Sequence, residues 1–387
     1  MKKSASLRRP RRPEAFPTRP TVAEISIPAL KHNLEGIRRK VGARVKIMAV
    51  VKAEAYGHGL VGVARALEPK HADYFGVAIA EEGKALRVAG IRKPIHVFAL
   101  PSPAQAALTV QFKLEPTVCT LEEAGWIDRA AQRARKTVPV HVKIETGMNR
   151  IGVKPENLGT FLGGLARLRR LRVRGVFTHF ANSDEADKSF ARTQLARFES
   201  AIETFQSMRV EYELEHCANS AAILDLPESY HDMVRPGIMM YGYYPSHTTT
   251  ESIPLKPVLR LKTEVSLVKE IAAGESVSYG RIFVARDRTS IATLPLGYAD
   301  GYFRLLTGKA SVLIHGKRFP VVGRICMDQI MVDVGREDVR AGDEAVLIGP
   351  QEGVHIGAWD LADALGTIPY EITCAIAQRV PRIYGAT

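Results

Sequence analysis

Val45–Gly59, VKIMAVVKAEAYGHG, is the stretch on which the rest of the chain is organised. It opens with an apolar, β-branched run of the kind that forms a strand buried on both faces. The run stops at Lys52, which is followed by small residues, Tyr56 and a Gly57-His58-Gly59 turn. Desolvating a lysine charge is costly unless the amine is paired or loses its proton. An amine pushed below its ordinary pKa of ~10.4 is also a Schiff-base nucleophile. On this stretch alone two readings stand side by side: a nucleophile delivered by a strand, or a lysine that snorkels out of a strand end.

Outward from Lys52 the same text repeats. Apolar strand candidates recur at Val45–Val51, Tyr74–Ala80, Ile95–Leu100, Leu114–Val118, Val138–Ile144, Val173–His179, Tyr212–Cys217 and Met233–Tyr241. Helix-compatible segments lie between them, among them Leu60–Leu67, Leu121–Arg135 and Phe190–Met208. Eight buried strands alternating with helices is the arithmetic of a (β/α)8 TIM-like barrel, and a doubly wound open sheet would use fewer units. Upstream, Thr21–Ile27 alternates like a strand and Pro28-Ala29 begins an amphipathic helix through Val41. After Pro245–Pro257 the rhythm breaks into short alternating runs between Gly, Asp and Pro turns, which reads as a small all-β domain with one helix at Ala358–Leu365. The expected division is a basic disordered tail (1–20), a barrel (21–250) and a mainly β C-terminal domain (251–387).

Composition narrows the function classes. With 387 residues the chain exceeds one ordinary core, and 46% apolar with 25% charged residues is soluble globular usage. No apolar run is long enough to span a bilayer, and the basic N-terminus lacks the apolar segment of a secretory signal. The net charge is +13, but residues 1–20 carry seven Lys and Arg against the single Glu14. No nucleic-acid motif accompanies the remaining cations. The four cysteines, Cys119, Cys217, Cys326 and Cys374, are far apart and unpaired in spacing. That argues against a zinc site or disulfide framework and for a cytoplasmic protein.

Barrel chemistry sits where strands end and the following loops begin. Reading off those positions collects Lys52 and Tyr56; Lys143, Glu145 and Arg150; His179; His216, Asn219 and Ser220; then Arg235 and Gly237-Ile238. Helix capping covers Ser220 and Asn219, but not Lys52, His179 and Arg235 together. The ends of strands seven and eight are where phosphate-binding barrels hold their phosphate. Ser220 and the close backbone approach allowed by Gly237 suit that role. A Schiff-base lysine across from a phosphate cradle points to pyridoxal 5'-phosphate, which carries both an aldehyde and a phosphate.

These stretches resemble the alanine racemases. AVVKAEAYGHG, VKIETGMNRIG, THFAN, ANSAA, VRPGIMMYG, VSYGR, LPLGYADGY, GRICMDQIMVDV and YEITCAIAQRVPRIY follow one another in that family's order, from Thr21 to Tyr384. The resemblance implies that Lys52 binds the cofactor covalently, and that Tyr56, Ser220, Gly237, Ile238 and Tyr370 hold its phosphate. It places Arg235 at the pyridine nitrogen, Arg150 near the cofactor oxygen and substrate carboxylate, and His179 beside the ring. Tyr279 would be the second catalytic base and Met327 would meet the substrate carboxylate, both from the partner subunit of a head-to-tail homodimer. Lys143 would be a carbamylated lysine orienting Arg150, with an unmodified ammonium facing Glu145 as the alternative. Asp184, Tyr298 and Asp328 would line the access corridor. The activity implied is interconversion of L- and D-alanine, supplying D-alanine for peptidoglycan.

Racemisation needs proton traffic on two opposite faces of Cα, hence two bases, and both lysine and tyrosine must be tuned down from ~10 to serve near neutrality. A His179–Arg235 pair is the expected source of positive charge for the tyrosine. One departure stands out: where the family usually has Ala-Asn-Ala-Tyr after the lysine, this chain has Ala53-Glu54-Ala55-Tyr56. The rival readings are a broader racemase acting on serine or basic amino acids, an amino-acid decarboxylase of the same fold type, and a non-enzymatic pyridoxal-phosphate carrier. A decarboxylase would carry a catalytic cysteine motif instead of VSYGR, and a carrier would lack the second domain.

Overall fold

The computed structural model describes residues 18–385, so the expected basic tail lies almost wholly outside the described residues. The chain folds into two compact units. The larger is built from Glu24–Arg260 and Gly357–Ala377, the smaller mainly from Leu261–Ile356 and Gln378–Ile383. The expected boundaries cut the chain once between domains, whereas the units exchange segments more than once. The first strand, β1 (Val22–Ser26), pairs between Leu259–Glu264 and Arg382–Gly385.

The larger unit is an eight-stranded parallel barrel: β2 (Lys46–Val50), β3 (Tyr74–Val77), β4 (Ile95–Val97), β5 (Glu115–Val118), β6 (Val138–Lys143), β7 (Leu171–Phe177), β8 (Leu214–His216) and β9 (Met233–Val234). The order β8-β7-β6-β5-β4-β3-β2-β9 runs around the barrel. Its one unladdered seam, between β8 and β9, is stitched by Asp232 N–H donating to Glu215 O (3.1 Å) and Arg235 N–H to Ala218 O (2.9 Å). The run read as an eighth strand through Tyr241 stops early. Pro236 has no N–H to continue a ladder, and Ile238–Tyr241 forms a single 3-10 turn instead. That stop holds Arg235 and Gly237 on the rim rather than within a strand.

Helices cover the outside as the periodicity implies. Ile27–Val41 starts on Ser26, whose hydroxyl accepts from Ala29 N–H at 3.3 Å, and it buries Leu30, Leu34 and Ile37. Ala358–Leu365 and a further helix, Pro369–Cys374, pack with the barrel although they follow the β region in sequence. They bring Tyr370 to the larger unit. The smaller unit is an antiparallel sheet in which strands such as Ile330–Gly335 alternate buried and half-buried residues. Among the described residues no helix is long and apolar enough to cross a membrane.

Candidate active site

Directly after β2 the backbone does something unusual for L-residues. Ala53, Glu54, Ala55 and Tyr56 all have φ between 51° and 54°, a left-handed helical turn with no glycine in it. Each such residue costs roughly 1–2 kcal/mol, so the surroundings must over-determine the turn. Ala53 N–H donates to Glu82 Oε1 (2.7 Å) and Gly59 N–H to Glu54 O (2.7 Å). The buried His58 ring closes on Ala55 O and Tyr56 O at 3.0 and 2.9 Å. Gly57 (φ 84°) ends the turn where a Cβ would lie 1.9 Å from Thr373 O, so no other residue fits. Glu54, the departure from the family text, reaches forward: its Oε2 accepts from Leu60 N–H (3.2 Å) and caps the helix Leu60–Leu67. Asparagine tolerates left-handed φ better than glutamate does, and this cap offsets part of that difference.

The turn places Lys52 and Tyr56 on a cavity of about 450 Å3 in the larger unit. The same cavity is lined by Lys143, Arg150, His179, Asp184, Ser220, Arg235, Gly237, Ile238 and Tyr370. Of the residues singled out in the sequence, these eleven and Asn219 are brought together. Burial, and then the neighbouring Arg150, lower the Lys52 pKa, while Cys374 and Glu82 act in the opposite direction. A larger fraction of neutral, nucleophilic amine follows. Burial drives Tyr56 and Tyr370 the other way, so both phenols keep their protons and remain donors.

At the far end, Gly237 N–H donates to Ser220 Oγ (2.8 Å), and a Cβ on Gly237 would lie 2.6 Å from Tyr56 Oη. The bare backbone there, beside one hydroxyl and two phenols, is a donor set suited to a phosphate. Arg235, 3% exposed, donates through Nη1 to His216 O (2.7 Å) and through Nη2 to Thr178 O (2.7 Å) and Cys217 O (2.8 Å). Its Nε has no protein acceptor among the described residues. Burial lowers Arg235 to about 10, which still leaves it charged at neutrality. These residues therefore fit pyridoxal phosphate: an amine for the aldehyde, donors for the phosphate and a fixed cation for the ring.

Two expectations about charge meet the structure differently. His179 Nδ1 lies 3.2 Å from Arg235 Nη2, but burial, then Arg235, Arg150 and Lys143, hold its pKa well below the ordinary imidazole value. The pair therefore supplies its positive charge from the arginine alone. Lys143 is 3% exposed and has no hydrogen bond or ion pair among the described residues. Burial and Arg150 lower it to about 8, with Glu145 opposing. Glu145 does not bond the lysine; its Oε1 accepts from Gly147 N–H at 2.6 Å.

Tyr279, Tyr298, Met327 and Asp328 belong to the smaller unit. There they lie on neighbouring loops: Tyr298 N–H donates to Cys326 O (3.1 Å) and Ala299 N–H to Met327 O (3.0 Å). Ser278, at φ 65° just before Tyr279, donates through Oγ to Arg324 O at 2.7 Å. Tyr279 is 72% exposed and Met327 53%, and neither side chain has a hydrogen-bond partner among the described residues. Asp328 is held by Arg379 at 2.6 Å.

One supporting residue escaped the sequence reading. Glu82 accepts from Ala53 N–H through Oε1 and from Ala78 N–H (2.8 Å) through Oε2, tying the Lys52 turn to the end of β3. Its only signal was an acid at the third position of a helix, an ordinary capping pattern. Glu82→Ala is expected to cost about 1–3 kcal/mol for the orphaned donors and to slow turnover at saturating cofactor, with Glu82→Gln recovering part of both. Equal melting temperature and turnover in Glu82→Ala and the parent would remove Glu82 from the site.

Two family profiles cover the chain: "Alanine racemase, N-terminal domain" over residues 25–245 and "Alanine racemase, C-terminal domain" over residues 258–384. The alanine racemase of Halothermothrix orenii is 45% identical over 368 residues, covering 95% of this chain and 97% of that protein. The alanine racemase of Geobacter sulfurreducens is 42% identical over 372 residues, covering 95% and 97%. Among solved structures, alanine racemase of Clostridium difficile 630 superposes with a TM-score of 0.92 at 39% identity, covering 96% and 97% of the two chains. The Bartonella henselae alanine racemase, solved with covalently bound pyridoxal phosphate, gives 0.84 at 29% identity, covering 94% and 99%.

Proposed function

The chain belongs to the alanine racemase family, and from that premise we propose that it racemises alanine by two bases, Lys52 of one copy and Tyr279 of a second copy, with pyridoxal phosphate as cofactor. The observation that carries the reading is Lys52 itself: an amine of lowered pKa, at the end of a buried strand, facing a phosphate-type donor set across one cavity. When bound, the cofactor supplies the electron sink that makes the α-proton of an amino acid removable. The protein's part is to bind, orient and move protons. Lys52 holds the cofactor and exchanges a proton at one face of Cα. Tyr56, Ser220, Tyr370 and the backbone at Gly237 and Ile238 hold the phosphate, while Arg235 presents a permanent cation that cannot protonate the ring nitrogen. Arg150 orients the substrate carboxylate, with the Met327 amide of the second copy.

Tyr279 serves the opposite face. The exposed phenol, without a side-chain hydrogen-bond partner among the described residues, suits a head-to-tail dimer whose sites are shared, with Asp184, Tyr298 and Asp328 along the access corridor. D-alanine made in this way would feed peptidoglycan synthesis. A chiral assay over L-alanine, L-serine, L-lysine and L-arginine tests the assignment. Alanine is expected to turn over fastest, and faster turnover of another member would transfer the protein to the broader racemases.

Lys143 takes the carbamate role because an unpaired, buried amine near pKa 8 beside Arg150 gains from exchanging a positive charge for a negative one. Only the neutral amine adds carbon dioxide. Occupancy is therefore expected to rise as pH increases through about 8 at fixed dissolved carbon dioxide. Intact-mass measurement of the native protein, mapped to the Lys143 peptide, reads it directly. A single unmodified mass at all pH values would leave an ammonium there.

A further inference from the structure

Behind the cavity, the barrel interior is not purely apolar. His96, His141 and His216 are fully buried in it, and Glu115 and Arg235 nearly so. Four of these groups form one line. Arg235 Nη1 lies 2.9 Å from His216 Nδ1, His216 Nε2 lies 3.0 Å from His141 Nδ1, and His141 Nε2 lies 2.9 Å from Glu115 Oε2. The line crosses the barrel from the residue after β9 through β8 and β6 to β5. Arg235 lines the cavity that holds Lys52, and Glu115 lines a separate cavity, with Arg87, Lys113 and Lys136.

A guanidinium has only donors, and that fact sets the direction of every bond in the line. His216 Nδ1 must accept from Arg235, so the His216 proton is on Nε2 and is given to His141 Nδ1. His141 in turn carries its proton on Nε2, and the Glu115 oxygen accepts it. A line running the other way would set a proton on His216 Nδ1 against one on Arg235. Burial holds all three imidazoles well below their ordinary pKa, so each is neutral and has one donor and one acceptor. Burial also raises Glu115 to about 7 against the pull of Arg174, Tyr74 and Arg172, with Glu213 acting in the same sense as burial. Tyr74, one of the groups opposing that rise, accepts through its hydroxyl from Arg174 Nε at 3.0 Å.

We propose that Glu115 is a positioning residue for Arg235: acting through His141 and His216, it keeps an imidazole acceptor on Nη1 beside the three carbonyls that also hold the guanidinium, and so sharpens the placement of the Nε–H donor offered to the cofactor ring. The proposal rests on the reading above that places Arg235 at the pyridine nitrogen. A carboxylate remote from the cofactor is useful here because it terminates the line with an acceptor, which no apolar residue can do. Without that terminus His141 has no acceptor for its Nε2 proton, its other tautomer becomes competitive, and the conflict is passed to His216 and then to Arg235.

The test uses the full-length protein with ring-15N histidine, by NMR, with and without pyridoxal phosphate. In the parent, His141 and His216 are expected to be neutral Nε2–H tautomers in both forms. Glu115→Gln, whose carboxamide oxygen still accepts, keeps that pattern and the cofactor absorption band. Glu115→Leu gives a mixture of tautomers at His216, a shifted band and kcat lower by roughly tenfold, the scale of one lost buried hydrogen bond, with KM little changed. Glu115→Asp, which keeps the charge but shortens its reach, moves the same signals in the same direction and serves where Glu115→Leu does not fold. A proton on Nδ1 of His216 in the parent overturns the proposal. So does a folded Glu115→Leu or Glu115→Asp protein that loses stability while its tautomers and band stay fixed. Arg235→Lys separates the two readings: an unchanged cofactor band in that variant removes Arg235 from the ring, whereas the histidine signals of the cofactor-free protein report on the line alone.

Discussion

Lys52→Ala is expected to lower racemase turnover by roughly 10⁴-fold or more, the upper end of what a single general base contributes. The expectation exceeds that of any other substitution in the cavity because one amine has two tasks, holding the cofactor and moving a proton. Lys52→Arg should be as inactive as Lys52→Ala. A guanidinium keeps the positive charge but does not give up its proton near neutrality, so the comparison separates charge from nucleophilicity. The competitor is in the same cavity: Lys143 is a second buried amine, lowered to about 8. Borohydride treatment of the reconstituted protein, followed by peptide mapping, decides between them. Coenzyme fixed on Lys143, or a Lys52→Ala protein within tenfold of the parent, would end the assignment.

The barrel was legible because buried parallel strands read as apolar runs, and their ends could be counted. What the runs could not convey was backbone hand. Nothing in Ala53-Glu54-Ala55-Tyr56 announces a left-handed turn, since alanine and glutamate favour right-handed helix. The turn is imposed by partners far along the chain, Glu82 and the Thr373 carbonyl over Gly57. The length of the last strand was over-read for a related reason. Pro236 and Gly237 lie inside an apolar run, and hydrophobicity alone does not register a missing N–H. The line from Arg235 to Glu115 was invisible because, although His216 and Arg235 stand out at strand ends, His141 and Glu115 lie within strands, where a lone polar residue carries no pattern. Tyr370 was reachable only by resemblance, because its helix follows the β region in sequence and packs with the barrel unit. The singled-out residues of the smaller unit, Tyr279 and Met327 among them, are exposed side chains on loops, where periodicity says nothing.

Tyr279→Phe is expected to lower racemisation by roughly 10²–10⁴-fold, the range for one positioned general base, while leaving the cofactor bound to Lys52. With one base removed and the other in place, solvent deuterium should still enter Cα of one enantiomer without inversion. A single-base enzyme would lose exchange and racemisation together. Whether that phenol serves its own chain or a second copy is settled by mixing. Lys52→Ala and Tyr279→Phe chains, each inactive alone, should recover about a quarter of parental activity when subunits exchange freely in a two-fold dimer. Half of the dimers are then mixed, and one of the two sites in each has both bases. If both bases came from the same chain, every site in the mixture would lack one, and no recovery would be seen. Recovery in the mixture, with none in either variant alone, therefore requires that an active site be built from two chains.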